Sequence, residues 1–282
     1  MDMSKRWCVR LPISNLAVTA RTILCEPDPR SKVTWTHSAA ENWHTGKLSV
    51  GQPTTAVSSL ITTMPEWPAR PALPKLVAPR LMPRRRVGGM RGRIALLHAV
   101  AHIELNAIDL AWDLIGRFAA VGWPVEFFDD WICVADDEAR HFTKVAARLN
   151  ELGGGYGDLP AHDGLWEAAM ATSGDPLARL AVVPMVLEAR GLDVTPGMIA
   201  RLQRAGDDTS ATLLETILRE EIAHVAAGQR WFGYLCRRRG LPEHKTWREL
   251  VSAHYRGVQR PPFNEAARRA AGMAPELYQQ LA

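Results

Sequence analysis

The sequence predicts an all-helical protein built on a four-helix bundle with one crossover connection. Three observations carry that expectation. Apolar residues recur at helical spacing over four long segments, 91–121, 124–152, 175–190 and 208–239. Only Gly122-Trp123-Pro124 joins the first two, whereas residues 153–174 separate the second from the third. A short joint makes antiparallel neighbours, and a long one can cross the bundle.

Each element follows from local chemistry. Residues 1 to about 46 read as one or two short helices divided at Asp28-Pro29. Residues 47–89 carry prolines at 65, 68, 71, 74, 79 and 83. Proline lacks an amide donor and restricts the residue before it, so this stretch is not a helix. It is expected to lie as an extended strap on the bundle, burying Trp67, Leu73, Leu76, Val77 and Leu81. The first core helix ends at Gly122-Trp123-Pro124, and Pro124 suits the first turn of the second. The loop GGGYGDLPAHDG leads to a short helix near 162–172, whose cap is expected to be Asp163. The third core helix starts at Asp175-Pro176 and is expected to stop near Arg190. GLDVTPG would break it, leaving a separate helical piece at 196–205. Pro184 should kink this helix and free a carbonyl. Asp207 or Asp208 can cap the fourth helix, and 242–282 reads as short helices. The chain therefore divides into an N-terminal layer (1–89), the bundle (90–240) and a C-terminal tail (241–282).

Composition narrows the function classes. The chain has 282 residues, 47% of them hydrophobic, which is ample for a packed core. No apolar run of about 18 residues is free of charge, so no membrane-spanning helix is expected. The N-terminal apolar stretch is broken by Arg21 and does not read as a signal peptide, which points to the cytoplasm. Cys8, Cys25, Cys133 and Cys236 form no CxxC pair. That excludes a zinc ribbon, a rubredoxin-type iron site and a thioredoxin motif. The net charge of +4 is clustered at Arg84-Arg85-Arg86 with Arg91 and Arg93, and at Arg237-Arg238-Arg239. Such clusters suit RNA or phosphate, and equally the solvated ends of helices.

The chemistry lies in a repeated ligand pattern. Glu138-Ala-Arg-His141 and Glu221-Ile-Ala-His224 both read Glu-x-x-His. Residues three apart share a helix face, so each pair can present a carboxylate and an imidazole to one ion. A lone glutamate on another helix accompanies each pair. Glu104 precedes Glu138 by 34 residues, and Glu188 precedes Glu221 by 33. All four glutamates sit within apolar stripes, where an uncompensated carboxylate would cost several kcal/mol. Two divalent cations would balance four carboxylates, and oxygen donors with imidazole suit iron, or manganese as the alternative. The candidate metal ligands are therefore Glu104, Glu138, His141, Glu188, Glu221 and His224.

These residues resemble the ferritin-like superfamily of di-iron carboxylate proteins. More narrowly, LLHAVAHIELNAIDLAWD, DDEARHF, GDLPAHDGLWE, VVPMVLEARGLDVTPGM and REEIAHV resemble the DUF455 family, as does PRRRVGGMRGR. The resemblance spans nearly the whole chain and implies a ferritin-like bundle with a two-metal site. It supplies no substrate.

A reduced two-metal centre with open positions can activate O2, so the leading expectation is an oxidoreductase that hydroxylates or desaturates an unknown substrate, a small molecule or RNA. With no CxxC module, such an enzyme needs an external electron donor. The alternatives are a non-enzymatic or ferroxidase-type metal protein and a tRNA-hydroxylase-like enzyme acting on RNA. Oligomerisation is left open. Among nearby residues, His98 and His102 point away from Glu104 and were expected to partner Asp109 or another helix. Asp137 was a candidate partner for a histidine ring, Arg190 and Asp193 a candidate supporting pair, and Glu220 was expected to face elsewhere.

Overall fold

The computed structural model describes residues 15–51, 63–82 and 89–279. Cys8, Arg84-Arg85-Arg86 and the first residues of the N-terminal layer lie outside them. The described residues are helical, with no strand among them beyond a single parallel bridge between Leu76 and Ala161.

Four long helices make the frame: α3 (Met90–Arg117), α4 (Val125–Glu151), α6 (176–204) and α7 (Asp208–Arg239). Helices α3 and α4 pack along their lengths, as do the second half of α6 and α7, and α4 meets α7. A short helix, α5 (Gly164–Met170), occupies the connection from α4 to α6 and packs on α3. Outside them lie α1 (Leu16–Leu24) on α3 and α2 (Pro29–His44) on α4. The tail forms α8 (Glu243–His254), α9 (Glu265–Ala270) and α10 (Pro275–Tyr278), with α8 and α9 against α6 and α7. Helix α3 is long and apolar enough to cross a membrane. However, 78% of its most apolar window is buried inside the protein, as in a core helix.

The caps match the sequence at several ends. Asn15 accepts from the Val18 amide and Asp28 from the Ser31 amide. Asp207, rather than Asp208, caps α7 by accepting from Ser210, and it also binds Arg93 and Arg148. Asp163 corrects one expectation. It occupies the cap position of α5 without capping it, because its carboxylate accepts from Arg70 at 3.2 Å instead.

The third core helix corrects another. It does not break at GLDVTPG but runs on to Arg204, through a π-helical segment at Val183–Glu188. The tail supplies the reason. Pro184 cannot donate to the turn before it, so the helix widens there, and in the same turn the Trp247 indole donates to the Ala181 carbonyl at 3.2 Å. Pro196 leaves the Leu192 carbonyl without its helical donor, and the Asn264 side chain donates to it at 3.1 Å. At Pro196 the carbonyl that would make a proline costly thus has a donor from outside the helix.

The strap follows an extended course, yet not through the residues expected to anchor it. Trp67, Leu73, Leu76 and Leu81 are exposed and Val77 is half-buried, and the buried strap side chains among the described residues 63–82 are Met64, Pro68 and Pro74. Backbone and charge do the rest. Arg117 donates to the Pro65 carbonyl, Trp166 to the Glu66 carbonyl, and Ala69 N–H to Leu24. Arg70 reaches Asp109, Asn106 and Asp163. A strand-like segment without sheet partners must satisfy its polar backbone this way, and apolar side chains facing outward follow.

Candidate metal centre

The six sequence-derived residues meet inside the bundle. Glu104 comes from α3, Glu138 and His141 from α4, Glu221 and His224 from α7, and Glu188 from the last position of the π segment. Glu104, Glu138, His141 and Glu221 each offer a ligand atom within 4.8 Å of the others. His141 Nδ1 lies 3.3 Å from Glu104, 3.5 Å from Glu138 and 3.7 Å from Glu221. His224 Nδ1 lies 3.1 Å from Glu138 and 3.4 Å from Glu221. Glu138 thus faces both rings. Glu188 lines the same cavity as Glu104, Glu138 and Glu221.

The outer nitrogens of both rings are held by carboxylates, in a crossed arrangement. His141 Nε2 lies 2.6 Å from Glu220, which precedes the Glu-x-x-His of α7. His224 Nε2 lies 3.2 Å from Asp137, which precedes the Glu-x-x-His of α4. Arg140 bonds Glu220 at 2.9 Å and pairs with Asp137, linking the two. Burial pushes both acids up, but the histidine and Arg140 outweigh it and hold each below the usual carboxylate range. An ionised carboxylate only accepts, so each Nε2 carries a proton and donates it. That fixes the tautomer and turns Nδ1 toward the cluster, where it could ligate an ion. Glu220 was expected to face elsewhere; the structure corrects this. Its signal was present in the sequence, because an acid precedes both motifs.

Other neighbours have structural duties. His102 bonds Tyr156 at 2.9 Å and the His162 carbonyl at 3.1 Å, rather than Asp109. Burial and Arg70 lower it to about 4, so it stays neutral. Asp193 belongs to the tail: Arg268 donates to both its oxygens at 2.9 and 2.7 Å, and Arg190 stands off at 3.5 Å. Of the Arg237–Arg239 cluster, Arg238 caps the Val121 and Gly122 carbonyls and Arg239 pairs with Asp175, as the helix-end reading expects.

The residues present fit a metal ion. Glu104 Oε2, Glu138 Oε2, Glu188 Oε2 and His141 Nδ1 are all buried without a hydrogen-bond partner. One such atom costs about 1–3 kcal/mol, so Glu104, Glu138 and His141 within ligand reach of one another, with Glu188 on the same cavity, suit a cation. The ionisation states agree. Burial, then Glu221 and Glu138, pushes Glu188 up to about 8. Burial and the neighbouring Glu138 also raise Glu104 and Glu221. Burial disfavours a charged His141, but Glu104 and Glu138 override it and lift the ring to about 11. Without cations the cluster balances its charge by retaining protons, which metal uptake would displace.

One glycine holds this geometry. A Cβ on Gly228 would lie 2.4 Å from Pro184 Cβ, so α7 approaches the π segment closely only because residue 228 has no side chain. Gly228→Ala is expected to cost about 1–3 kcal/mol by overpacking. It should also weaken metal retention, because the segment that must shift carries Glu188. Thermal unfolding and metal content check both effects.

These features define an all-helical protein with a buried glutamate–histidine group able to hold a metal ion. The chain belongs to the family described as "Protein of unknown function (DUF455)", which it matches over residues 25–279. An uncharacterized protein of Haemophilus influenzae is 42% identical over 209 residues, covering 72% of this chain and 73% of that protein. No solved structure matches the chain.

Proposed function

We propose that this chain is a ferritin-like carboxylate protein that holds two divalent metal ions, iron before manganese, and oxidises a small substrate with O2. The observation that carries the reading is the meeting of two Glu-x-x-His motifs with two lone glutamates around four buried, unpartnered polar atoms. Glu104, Glu138 and His141 would hold one ion, and Glu188, Glu221 and His224 the other. Glu138 and Glu221, each near both rings, are suited to lie between them. Two reduced ions held there would supply electrons to O2, and an external electron donor would return them.

The chain's own residues set the conditions. Asp137 and Glu220 orient the imidazoles, and Arg140 offsets their added negative charge. Apolar walls around the glutamates lower the local polarity and strengthen each interaction within. A storage role needs no such cavity, which favours the enzymatic reading. The test is anaerobic loading with Fe(II), metal analysis, then exposure to O2. About two irons per chain and a transient visible absorption are expected. A chain that retains no metal sinks the reading, and one that retains metal but is inert to O2 is a binding protein only.

A further inference from the structure

The cavity that ends on Glu104, Glu138, Glu188 and Glu221 encloses about 200 Å³. Its walls are apolar, with Val100, Leu110, Val183, Leu187, Leu214 and Ile217 among them. It reaches the surface beside Ile103, which is 47% exposed, and Arg190, whose side chain is 41% exposed. Charge thus occurs at two places only, the glutamate floor and the Arg190 rim.

Arg190 is positioned yet only partly neutralised, because the one carboxylate near it is shared with Arg268. Its Nη1 donates to the Arg260 carbonyl at 2.6 Å, with the Pro262 carbonyl at 3.4 Å, which fixes the guanidinium without countering its charge. The nearest carboxylate, Asp193 at 3.5 Å, already has both oxygens bonded by Arg268. Among the described residues, Arg190 Nε and Nη2 make no hydrogen bond. A held guanidinium with free donors is a ready partner for a carboxylate or phosphate.

Gly191, beside it, also lines the cavity. It lies inside a helix, where glycine costs stability relative to alanine. A Cβ built there meets nothing within 4 Å, so no neighbouring chain demands a glycine. What its missing side chain provides is open space at the rim.

We infer that the cavity takes a molecule with an apolar body and a single anionic head, the head on Arg190 at the rim and the body directed toward the glutamates. This rests on the proposed function for its chemistry, but the binding it describes can be measured without turnover. The probes are octanoate, octyl phosphate, octanol and octylamine, titrated by calorimetry into the full chain, both metal-free and Mn(II)-loaded. At least one of the two anions should bind roughly tenfold or more tightly than octanol, as a charge-assisted bond predicts. Which anion it is identifies the head as carboxylate or phosphate. Arg190→Gln should bring that anion down to the octanol level while leaving octanol binding and metal content unchanged. Gly191→Phe should abolish binding of both and keep the metal.

Equal affinity for anion and alcohol, no binding of any probe, a preference for octylamine, or an undiminished anion preference in Arg190→Gln would each overturn the inference. The two readings fail separately. A chain that holds no metal but keeps the Arg190-dependent preference loses the metal reading alone. A metal-loaded chain without the preference loses this one alone.

Discussion

Glu138→Ala is expected to leave the protein unable to retain metal. Glu138 is 1% exposed, and its two oxygens face the two histidines, Oε1 toward His224 at 3.1 Å and Oε2 toward His141 at 3.5 Å. Glu221 also faces both rings but stands farther off, at 3.7 and 3.4 Å, and Glu104 approaches His141 at 3.3 Å. Burial pushes the Glu138 carboxyl up, but His141 and His224 hold it well below the usual range, so it is the carboxylate already ionised before metal arrives. Its loss therefore removes the closer of the two donors shared by both halves of the site. Metal content should fall from about two per chain to near zero, with His224→Ala close behind. Glu220→Gln gives the graded control. It meets the cluster through the outer nitrogen of His141, besides its bond to Arg140, and loss of such a support costs about 10–100-fold in affinity, not all of it. Stability supplies a second readout. A metal at 100 times its dissociation constant stabilises the fold by about 2.7 kcal/mol, and this increment should vanish in Glu138→Ala. Full stoichiometry in that variant would falsify the ligand set.

How much of this was legible in the sequence depends on whether the signal was periodic. Helix existence and the six candidate ligands follow from apolar spacing and from a repeat of 83–84 residues, both local to the chain. The π segment and the continuous α6 were not legible, because they depend on who comes to the free carbonyls. Trp247 and Asn264 are more than 60 residues away from the carbonyls they serve. Local rules rightly expect a helix to stop before Pro196, and tertiary donors override them. The strap failed for a related reason. Counting Trp67, Leu73 and Leu81 as burial signals ignores that an unpaired extended chain is held through its backbone. Glu220 was missed through reasoning about helix faces. It lies beside Glu221 and not behind it, yet a long carboxylate can reach across to a ring on α4, and the acid before each motif was visible all along.

The largest stability effect should come from Asp109, which no metal argument requires. Asp109 is fully buried and accepts from two cations, Lys32 of α2 and Arg70 of the strap. Arg70 extends the network to Asn106 and to Asp163 at the start of α5. One carboxylate thus ties the N-terminal layer, the strap and the crossover to α3. Asp109→Ala leaves the Lys32 ammonium, 2% exposed, with only the Ala69 carbonyl at 3.4 Å. An orphaned buried charge of this kind costs about 3–5 kcal/mol. For a protein of this size the thermal midpoint should drop on the order of 10 °C. The penalty belongs to the stranded charge more than to the lost bond, so removing both partners separates the two. Lys32→Met with Asp109→Leu should recover most of the loss, since a buried pair replaced by apolar groups is often neutral. Asp109 and Glu104 lie five positions apart on α3, roughly 140° around the helix, so this network and the metal cluster occupy different faces. Metal content should therefore survive in the double variant. If it does not, the N-terminal layer holds α3 in register for Glu104, and the two halves of the molecule are coupled through that helix.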